Sequence, residues 1–313
     1  MTTNFDELLL ILHDDSIPLP VIRLRELSDL SPNQIDLLQE IWDQIPPSRK
    51  HSLLVELGQL ADLNFEYSFE AINRFALDDE DPNVRRTAIE NLWECEDISL
   101  VPFLLKTIQE DSFAEVRASA ATALGPLLYL CEVTDLSPAL LHEIEECLLH
   151  ITSNDPDFIV RMSALATLGH SSRPEVIPLI HRAYDHGDDD HKSTALTAMG
   201  RSASKDWGPI LLTELHNPSP HLRSLAAQAV GEIELRNSIP ELIQLLGDVD
   251  SDVRLSAIWA LGQIGGSHAI KALEDLIERI DDEDEVAEID EALDHAIFMD
   301  STPDLSTHDS DPN

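Results

Sequence analysis

Residues 248–262 read DVDSDVRLSAIWALG, and this stretch decides the fold because the chain repeats its pattern. The leading Asp is followed by Arg254 six residues later, by Ala257 three residues after that, and by Gly262 at the end. Residues 155–169, DPDFIVRMSALATLG, follow the same pattern. A repeat of 20–50 residues is typical of stacked supersecondary units rather than of one globular core.

The basic residue of the pattern marks six copies along the chain. It stands at Arg85, Arg117, Arg161, Lys192, Arg223 and Arg254, at spacings of 32, 44, 31, 31 and 31 residues. Every copy has an Ala three residues later, and every copy but the first has a Gly eight residues later, where Trp93 stands instead. This regularity predicts a stack of similar units.

Each period predicts two helices. The first has apolar residues at helical spacing, as in 239–246, with Pro240 in the first turn where a missing N–H costs nothing. The second runs through Ala257 and stops at Gly265. A Gly inside a helix costs about 1 kcal/mol relative to Ala, so the recurring small residues indicate close approach between helices.

The Asp and Arg of each copy are interpreted as structural. The Asp precedes the second helix and is expected to cap its free N–H groups. The Arg is expected to reach that Asp, or its counterpart in the neighbouring repeat, in a ladder of charge-assisted hydrogen bonds. The predicted ladder consists of Asp79, Arg85, Asp111, Arg117, Asp155, Arg161, Asp248 and Arg254.

The phrase Asp–Val–Arg–Ala–Ala–Leu–Gly resembles the HEAT-like repeat family over about residues 65–295, in its short-repeat branch named after phycobilisome lyases. The resemblance implies an α–α superhelix, a HEAT-like solenoid of stacked antiparallel helix pairs. It implies a non-enzymatic scaffold or adaptor that binds a protein or peptide along its concave face. The alternative it implies is phycobilin-lyase-like tetrapyrrole attachment or chaperoning of such a cofactor. Some HEAT-like proteins are iron hydroxylases with several His–Glu pairs, and the single pair His142–Glu143 argues against that activity.

The phrase decays toward both ends, which divides the chain. We expect degenerate, capping repeats over 1–64, HEAT-like repeats over 65–280, a capping helix over 281–299, and a disordered acidic tail over 300–313. The one long spacing places an insertion near 127–138.

The insertion has two interpretations. It forms either a functional loop on one face of the solenoid or a longer second helix with a harmless loop.

Cys131 lies within the insertion and is expected to be exposed. The three cysteines form no C-x-x-C pair, which favours a reducing compartment.

The composition is strongly acidic, with 60 Asp and Glu against 20 Lys and Arg and a formal net charge of −40. Such a field repels nucleic-acid phosphates and anionic membranes, and it favours neutral or basic partners. Solubility or adaptation to salt would give the same composition. The acidic N-terminal stretch and its short apolar run favour a cytoplasmic protein, and oligomeric state is left open.

The candidate binding surface is a row on the second helices, one and five residues after each basic residue, where side chains share a face. Its central residue, Trp259, either anchors a partner or packs against the neighbouring repeat. The row consists of Met162, Ala166, Ser193, Thr197, Ser224, Gln228, Leu255 and Trp259.

Two acid-rich segments resemble metal sites. DVDSD at 248–252 lacks the Gly and Glu that an EF-hand calcium loop requires. HRAYDHGDDDH at 181–191 carries His and carboxylate ligands suited to a divalent metal, but its acids match the helix-capping acids of other repeats. Both are interpreted as capping turns, and no metal, cofactor or catalytic residue is predicted.

Overall fold

A computed structural model describes residues 4–14, 17–64, 66–134, 137–280 and 283–301. Every regular element in these ranges is a helix, and none of the residues they contain forms a β-strand. The predicted all-α class is confirmed. Contacts divide the chain into two compact units, Met1–Ala164 and Leu165–Asn313.

The first unit contains nine helices among its described residues and the start of a tenth, with 3-10 turns at Arg25–Leu27 and Ile98–Leu100. The α-helices are α1 (Asn4–His13), α2 (Val21–Leu24), α3 (Pro32–Trp42), α4 (Pro47–Leu63), α5 (Glu70–Ala76), α6 (Pro82–Glu90), α7 (Val101–Glu110), α8 (Ala114–Thr134), α9 (Pro138–Asn154) and α10 (Phe158–Leu168).

The second unit begins within α10 and has 3-10 turns at Lys205–Trp207 and Arg236–Ser238. Its further α-helices are α11 (Val176–His186), α12 (Asp189–Arg201), α13 (Gly208–Glu214), α14 (Pro220–Glu232), α15 (Ile239–Leu245), α16 (Ser251–Ile264), α17 (Ser267–Ile277) and α18 (Glu283–Ser301).

Within each unit the helices pack as neighbouring pairs. In the first unit the second helices α4, α6 and α8 contact one another in succession, and α5 and α7 pack against α6 and α8. In the second unit α12, α14, α16 and α18 form the succession, and α11, α13, α15 and α17 each pack against the helix that follows. This arrangement is the α–α solenoid predicted from the repeat.

The recurring Gly is a packing residue. In the second unit a Cβ added at each of these positions would lie 2.8–3.0 Å from the Cα of an Ala in the next second helix, closer than a methyl group allows. None of these glycines has a positive φ, so close approach and not backbone conformation requires them. The four contacts are Gly169–Ala198, Gly200–Ala229, Gly231–Ala260 and Gly262–Ala292.

The predicted helix signals lie at real helix ends. Pro240 stands in the first turn of α15, where its ring satisfies helical geometry without needing a hydrogen bond. Gly265, with φ +61°, ends α16 in a conformation that other residues rarely adopt. Trp93, which replaces the Gly of the first copy, lies beyond the end of α6 and is exposed.

The insertion is helical rather than a long loop. Helix α8 extends over 21 residues and α9 over 17, so the extra residues lengthen the second helix of one repeat and the first helix of the next. The expected exposure of Cys131 is wrong: the side chain is buried on α8. Burial also raises the pKa of its thiol, which disfavours the reactive thiolate.

Helices also lie toward both ends of the described residues. Three helices and a 3-10 turn precede α4, and the acidic helix α18 packs against α16 and α17. The tail predicted to be disordered lies outside the described residues from 302 onward. Among the residues with described positions, no helix combines the length and apolarity needed to cross a membrane.

Candidate functional site

The arginine ladder joins each repeat to the next. In the first unit Arg85 donates from Nε and Nη2 to both carboxylate oxygens of Asp111, at 2.9 and 3.0 Å. Arg117 binds Asp155 in the same bidentate way, at 2.9 and 3.0 Å. The remaining nitrogen of each arginine turns back, and Nη1 of Arg85 donates to the backbone oxygen of Asp79 at 2.7 Å. Each guanidinium therefore contacts its own repeat and the following one.

The second unit repeats this geometry with substitutions. Arg223 donates to both oxygens of Asp248 at 2.9 and 2.8 Å. Arg254 donates to the carboxylate of Glu285, at 3.0 Å to the nearer oxygen, where the last helix has no Asp of the pattern. Its Nη1 donates to the backbone oxygen of Asp248 at 3.1 Å. Arg161, at the end of the first unit, donates from Nη1 to the backbone oxygen of Asp155 at 2.8 Å.

Arginine contacts lower the pKa of two ladder carboxyl groups, Asp155 and Asp248. Hydrogen bonds from Arg223 hold the pKa of Asp248 below its ordinary value. Burial alone would raise the pKa of Asp155, but the hydrogen bonds and positive charge of Arg117 outweigh it and leave the pKa lowered. These carboxylates are charged at neutral pH and serve as structural anchors.

The ladder Asp is not the helix cap that the sequence predicted. Its Oδ1 accepts a hydrogen bond from the backbone N–H two residues later, as Asp248 does from Asp250 at 3.0 Å. The cap is that second acid: Asp250 accepts from the N–H groups of Asp252 and Val253. In this turn the second acid caps the helix because the first binds Arg223 of the preceding repeat. At Asp111 the corresponding position is Phe113, so the second acid is not general.

Two joints use a lysine instead. Lys50 is buried and donates to Asp79 at 2.7 Å, and the indole N–H of Trp42 donates to the same oxygen at 2.6 Å. Lys192 donates at 3.2 Å to the buried carboxylate of Glu214. Both lysines thus find a carboxylate in the following repeat.

Glu214 is the centre of a polar cluster that the sequence did not indicate. Asn217, at the ladder position, donates to its carboxylate, and Tyr184 donates from its hydroxyl at 2.6 Å. Burial and the hydrogen bond to Glu214 raise the pKa of Tyr184 to about 12. Lys192 thus pairs with a carboxylate that lies three residues before the ladder position occupied by Asn217.

The predicted binding row differs in exposure along its length. Met162, Ala166, Ser193 and Thr197 are half-buried. Ser224 is buried and shares a hydrogen bond of 2.8 Å with Ser256 of the next repeat, so it does not offer a contact to a partner. Gln228, Leu255 and Trp259 are exposed.

Trp259 packs against the neighbouring repeat and is also partly exposed. One edge of its ring lies on Gly231, since a Cβ at that position would be 2.7 Å from Cζ3 of Trp259. The residue nevertheless keeps 40% of its surface exposed. The absence of a side chain at Gly231 therefore leaves room for the tryptophan ring, which packs there and remains at the surface.

The exposed part of Trp259 lines a depression of about 330 Å³ on α14, α16 and α18. The lining residues are Gln228, Glu232, Leu255, Ser256, Trp259 and Glu288. Two of them are carboxylates that the sequence row omitted, because they lie at other positions of their helices. Burial raises the pKa of Glu232, an effect that the nearby Arg201 partly offsets. An aromatic face beside carboxylates suits a cationic side chain.

The two segments that resemble metal sites differ in structure. Asp248 and Asp250 bind Arg223 and helix N–H groups, as expected of a capping turn. His186, Asp188 and His191 come together on the turn before α12. The His–Glu pair of the sequence, His142 and Glu143, lies exposed on α9, and Nδ1 of His142 is 4.0 Å from a carboxylate oxygen of Glu146.

A family profile described as HEAT repeats matches residues 59–141 and 208–294. No curated protein sequence matches the chain. Three solved structures with a similar fold are the CpcE–CpcF complex of phycocyanin lyase from Nostoc sp. PCC7120, human deoxyhypusine hydroxylase, and YibA from Escherichia coli.

The identities of these three structures are 19%, 21% and 18%, and the TM-scores are 0.48, 0.33 and 0.43, in the same order. The aligned parts cover 72%, 94% and 88% of this chain, and 94%, 96% and 95% of the others. These TM-scores are all below 0.5, so the family assignment rests on the profile, which covers more than half of the sequence. The chain therefore belongs to the HEAT-repeat family.

Proposed function

We propose that the protein is a non-enzymatic scaffold that binds a protein or peptide segment on the second-helix surface around Trp259. The observation that carries the proposal is the half-exposed indole, seated on Gly231 and flanked by the carboxylates of Glu232 and Glu288. Exposed aromatic residues in a depression are the commonest anchors of protein interfaces.

Charge defines the class of partner. A chain with a net charge of −40 attracts basic segments and speeds their association. Inside the depression an Arg or Lys side chain would meet the face of Trp259 and the carboxylates, while Leu255 contacts its apolar neighbour. The proposed ligand is therefore a segment with a basic residue beside an apolar one, bound in the cytoplasm.

The test is selection of a random peptide library on the immobilised full chain, followed by measurement of the selected peptides on the Trp259→Ala variant. Selected peptides should carry Arg or Lys beside an apolar residue. Loss of a central aromatic anchor typically costs about 2 kcal/mol or more, so Trp259→Ala should weaken binding by roughly 30-fold, mainly through faster dissociation. Trp259→Phe, which keeps an aromatic face, should bind with intermediate affinity.

Fluorescence anisotropy with labelled peptides gives the affinities, and circular dichroism confirms that the variants fold. Replacing the peptide's basic residue by Gln should weaken binding to the wild type more than to Trp259→Ala. Equal affinity of wild type and Trp259→Ala for the selected peptides would reject the proposal. A bilin whose absorption band shifts on mixing with the chain would favour the tetrapyrrole alternative instead.

A further inference from the structure

We propose that His186, Asp188 and His191 form a binding site for a divalent transition metal, with Zn²⁺ the best-suited ion. Two imidazoles and a carboxylate are ligands that zinc takes in proteins, and three protein ligands leave a fourth position for water. This inference is independent of the peptide-binding surface, since it uses other residues on other helices.

The three side chains already converge. Nδ1 of His186 lies 2.9 Å from Oδ2 of Asp188, and Nδ1 of His191 lies 2.7 Å from Oδ1 of the same carboxylate. One donor atom from each residue lies within 4.8 Å of the other two. Ligand atoms around tetrahedral zinc are about 3.3–3.6 Å apart, from bond lengths near 2.0–2.2 Å. Binding therefore requires the two imidazole–carboxylate contacts to lengthen and the stacked rings to rotate until a ring nitrogen of each faces the ion.

The backbone brings the ligands together by a short reversal of the chain. His186 is the last residue of α11, and Gly187 follows with φ +88°, a conformation that places Asp188 back toward it. Asp188 then caps α12 by accepting from the N–H of His191 at 2.9 Å, which fixes the carboxylate. The two imidazole rings stack with centroids 3.9 Å apart and an angle of 18°.

The ligand types define which ion fits. Imidazole nitrogen favours zinc, copper, nickel and iron over magnesium and calcium, which prefer an all-oxygen shell. The exposed acids Asp185, Asp189 and Asp190 surround the turn and raise the local concentration of cations of every kind. Selectivity must therefore come from the two histidines, and this requirement sets the experiment.

A bound ion would tie the last residue of α11 to the first turn of α12. Binding to the folded chain alone would stabilise it by mass action. The site thus offers a metal-dependent clamp on one helix pair of the repeat array.

The test is isothermal titration calorimetry of the full chain with zinc chloride in the presence of excess Mg²⁺, which occupies the diffuse acidic surface. We expect one saturable site in the wild type. His191→Ala, His186→Ala and Asp188→Asn should each weaken it by about tenfold or more, since even indirect supports of a metal ligand are worth 10–100-fold. Asn is also a good helix cap, so Asp188→Asn separates ligation from capping.

His221→Ala is the matched control, because His221 is an exposed histidine in the first turn of α14. It should leave the zinc affinity unchanged. Cobalt substitution should give visible absorption bands that vanish in His191→Ala. The proposal is overturned if zinc shows no saturable binding in excess Mg²⁺, or if the His186→Ala, His191→Ala double variant binds zinc as the wild type does.

Discussion

Arg223 donates hydrogen bonds to both carboxylate oxygens of Asp248, at 2.9 and 2.8 Å, across the boundary between two repeats. The same guanidinium donates to the backbone oxygen of Asn217 in its own repeat at 2.9 Å. One side chain therefore fixes the position of one helix pair relative to the next.

Replacing this arginine should weaken the second unit. Both side chains of the pair are mostly buried, so Arg223→Met would leave Asp248 without its partner, and we expect a loss of about 1–3 kcal/mol in unfolding free energy. Urea unfolding followed by circular dichroism measures it. Arg182→Met, at an exposed arginine of α11, should change stability by under about 0.5 kcal/mol. Equal effects of the two substitutions would contradict a structural role for the ladder.

Gly231→Ala should destabilise the chain more than Gly247→Ala. A Cβ at Gly231 would lie 2.7 Å from the Trp259 ring and 2.9 Å from the Cα of Ala260, and the backbone contact cannot be relieved by a rotamer change. Overpacking of this kind costs about 1–3 kcal/mol. A Cβ at Gly247 meets only a backbone oxygen at 3.7 Å.

Thermal denaturation of the two glycine variants provides the comparison. The fluorescence of Trp259 should also shift in Gly231→Ala, because the indole loses its seat. If both variants melt with the wild type and the spectrum is unchanged, the contact between the second helices is looser than the structure indicates.

Glu214→Gln should destabilise the joint between α11–α12 and α13–α14. The amide can still accept from Tyr184, but it removes the charge that Lys192 meets at 3.2 Å in a buried position. We expect a loss of about 1–3 kcal/mol. Burial remains in the variant while the carboxylate is lost, so the pKa of Tyr184 should fall from about 12 toward its usual value.

Tyrosinate absorbance during an alkaline titration measures the change at Tyr184. Glu274→Gln, at an exposed position of α17, is the control and should alter neither stability nor the titration. An unchanged Tyr184 titration in Glu214→Gln would show that the carboxylate of Glu214 does not raise the pKa of Tyr184.

His170 should make stability depend on pH. Burial and the positive charge of Arg201 lower its pKa to about 4, whereas an unfolded His titrates near 6.5. Between these values the unfolded chain holds more protons, so stability falls as pH drops from about 6.5 to about 4. At about 1.4 kcal/mol per pKa unit, the loss between pH 7 and 5 is about 2 kcal/mol.

Urea unfolding at several pH values, compared between wild type and His170→Gln, isolates this contribution from the many carboxyl groups. The variant should lose less stability between pH about 7 and 5 than the wild type does. Parallel curves for the two proteins would show that His170 titrates alike in the folded and unfolded states.

The fold was predictable because its signals are local and repeated. A six-residue step from Asp to Arg, followed by Ala and Gly, specifies a turn and a closely packed second helix wherever it occurs. The sequence could not decide which Asp the arginine binds, because that depends on the rise between stacked repeats. It also assigned the cap to the ladder Asp, since both acids of the turn stand near the helix start.

The surfaces were less predictable because they combine residues from different repeats. The depression at Trp259 takes Glu232 from α14 and Glu288 from α18, and a row drawn along one helical face omits both. The insertion was misjudged at Cys131, whose burial depends on how far α8 continues. The convergence of His186 and His191 on one carboxylate likewise depends on side-chain rotamers at the turn.

The arginine ladder allows repeats to be duplicated or exchanged within the array. Arg223 is bound partly by its own repeat and partly by the following one, so duplicating a whole unit within 217–254 would generate a new junction with the same Arg223–Asp248 complementarity. The joint between Lys192 and Glu214 differs, because its carboxylate lies three residues before the ladder position, which Asn217 occupies. Gene duplication could therefore add repeats at joints of the Arg223–Asp248 type. A repeat placed after Lys192 would have to supply a carboxylate at the position of Glu214, so that joint accepts fewer neighbours.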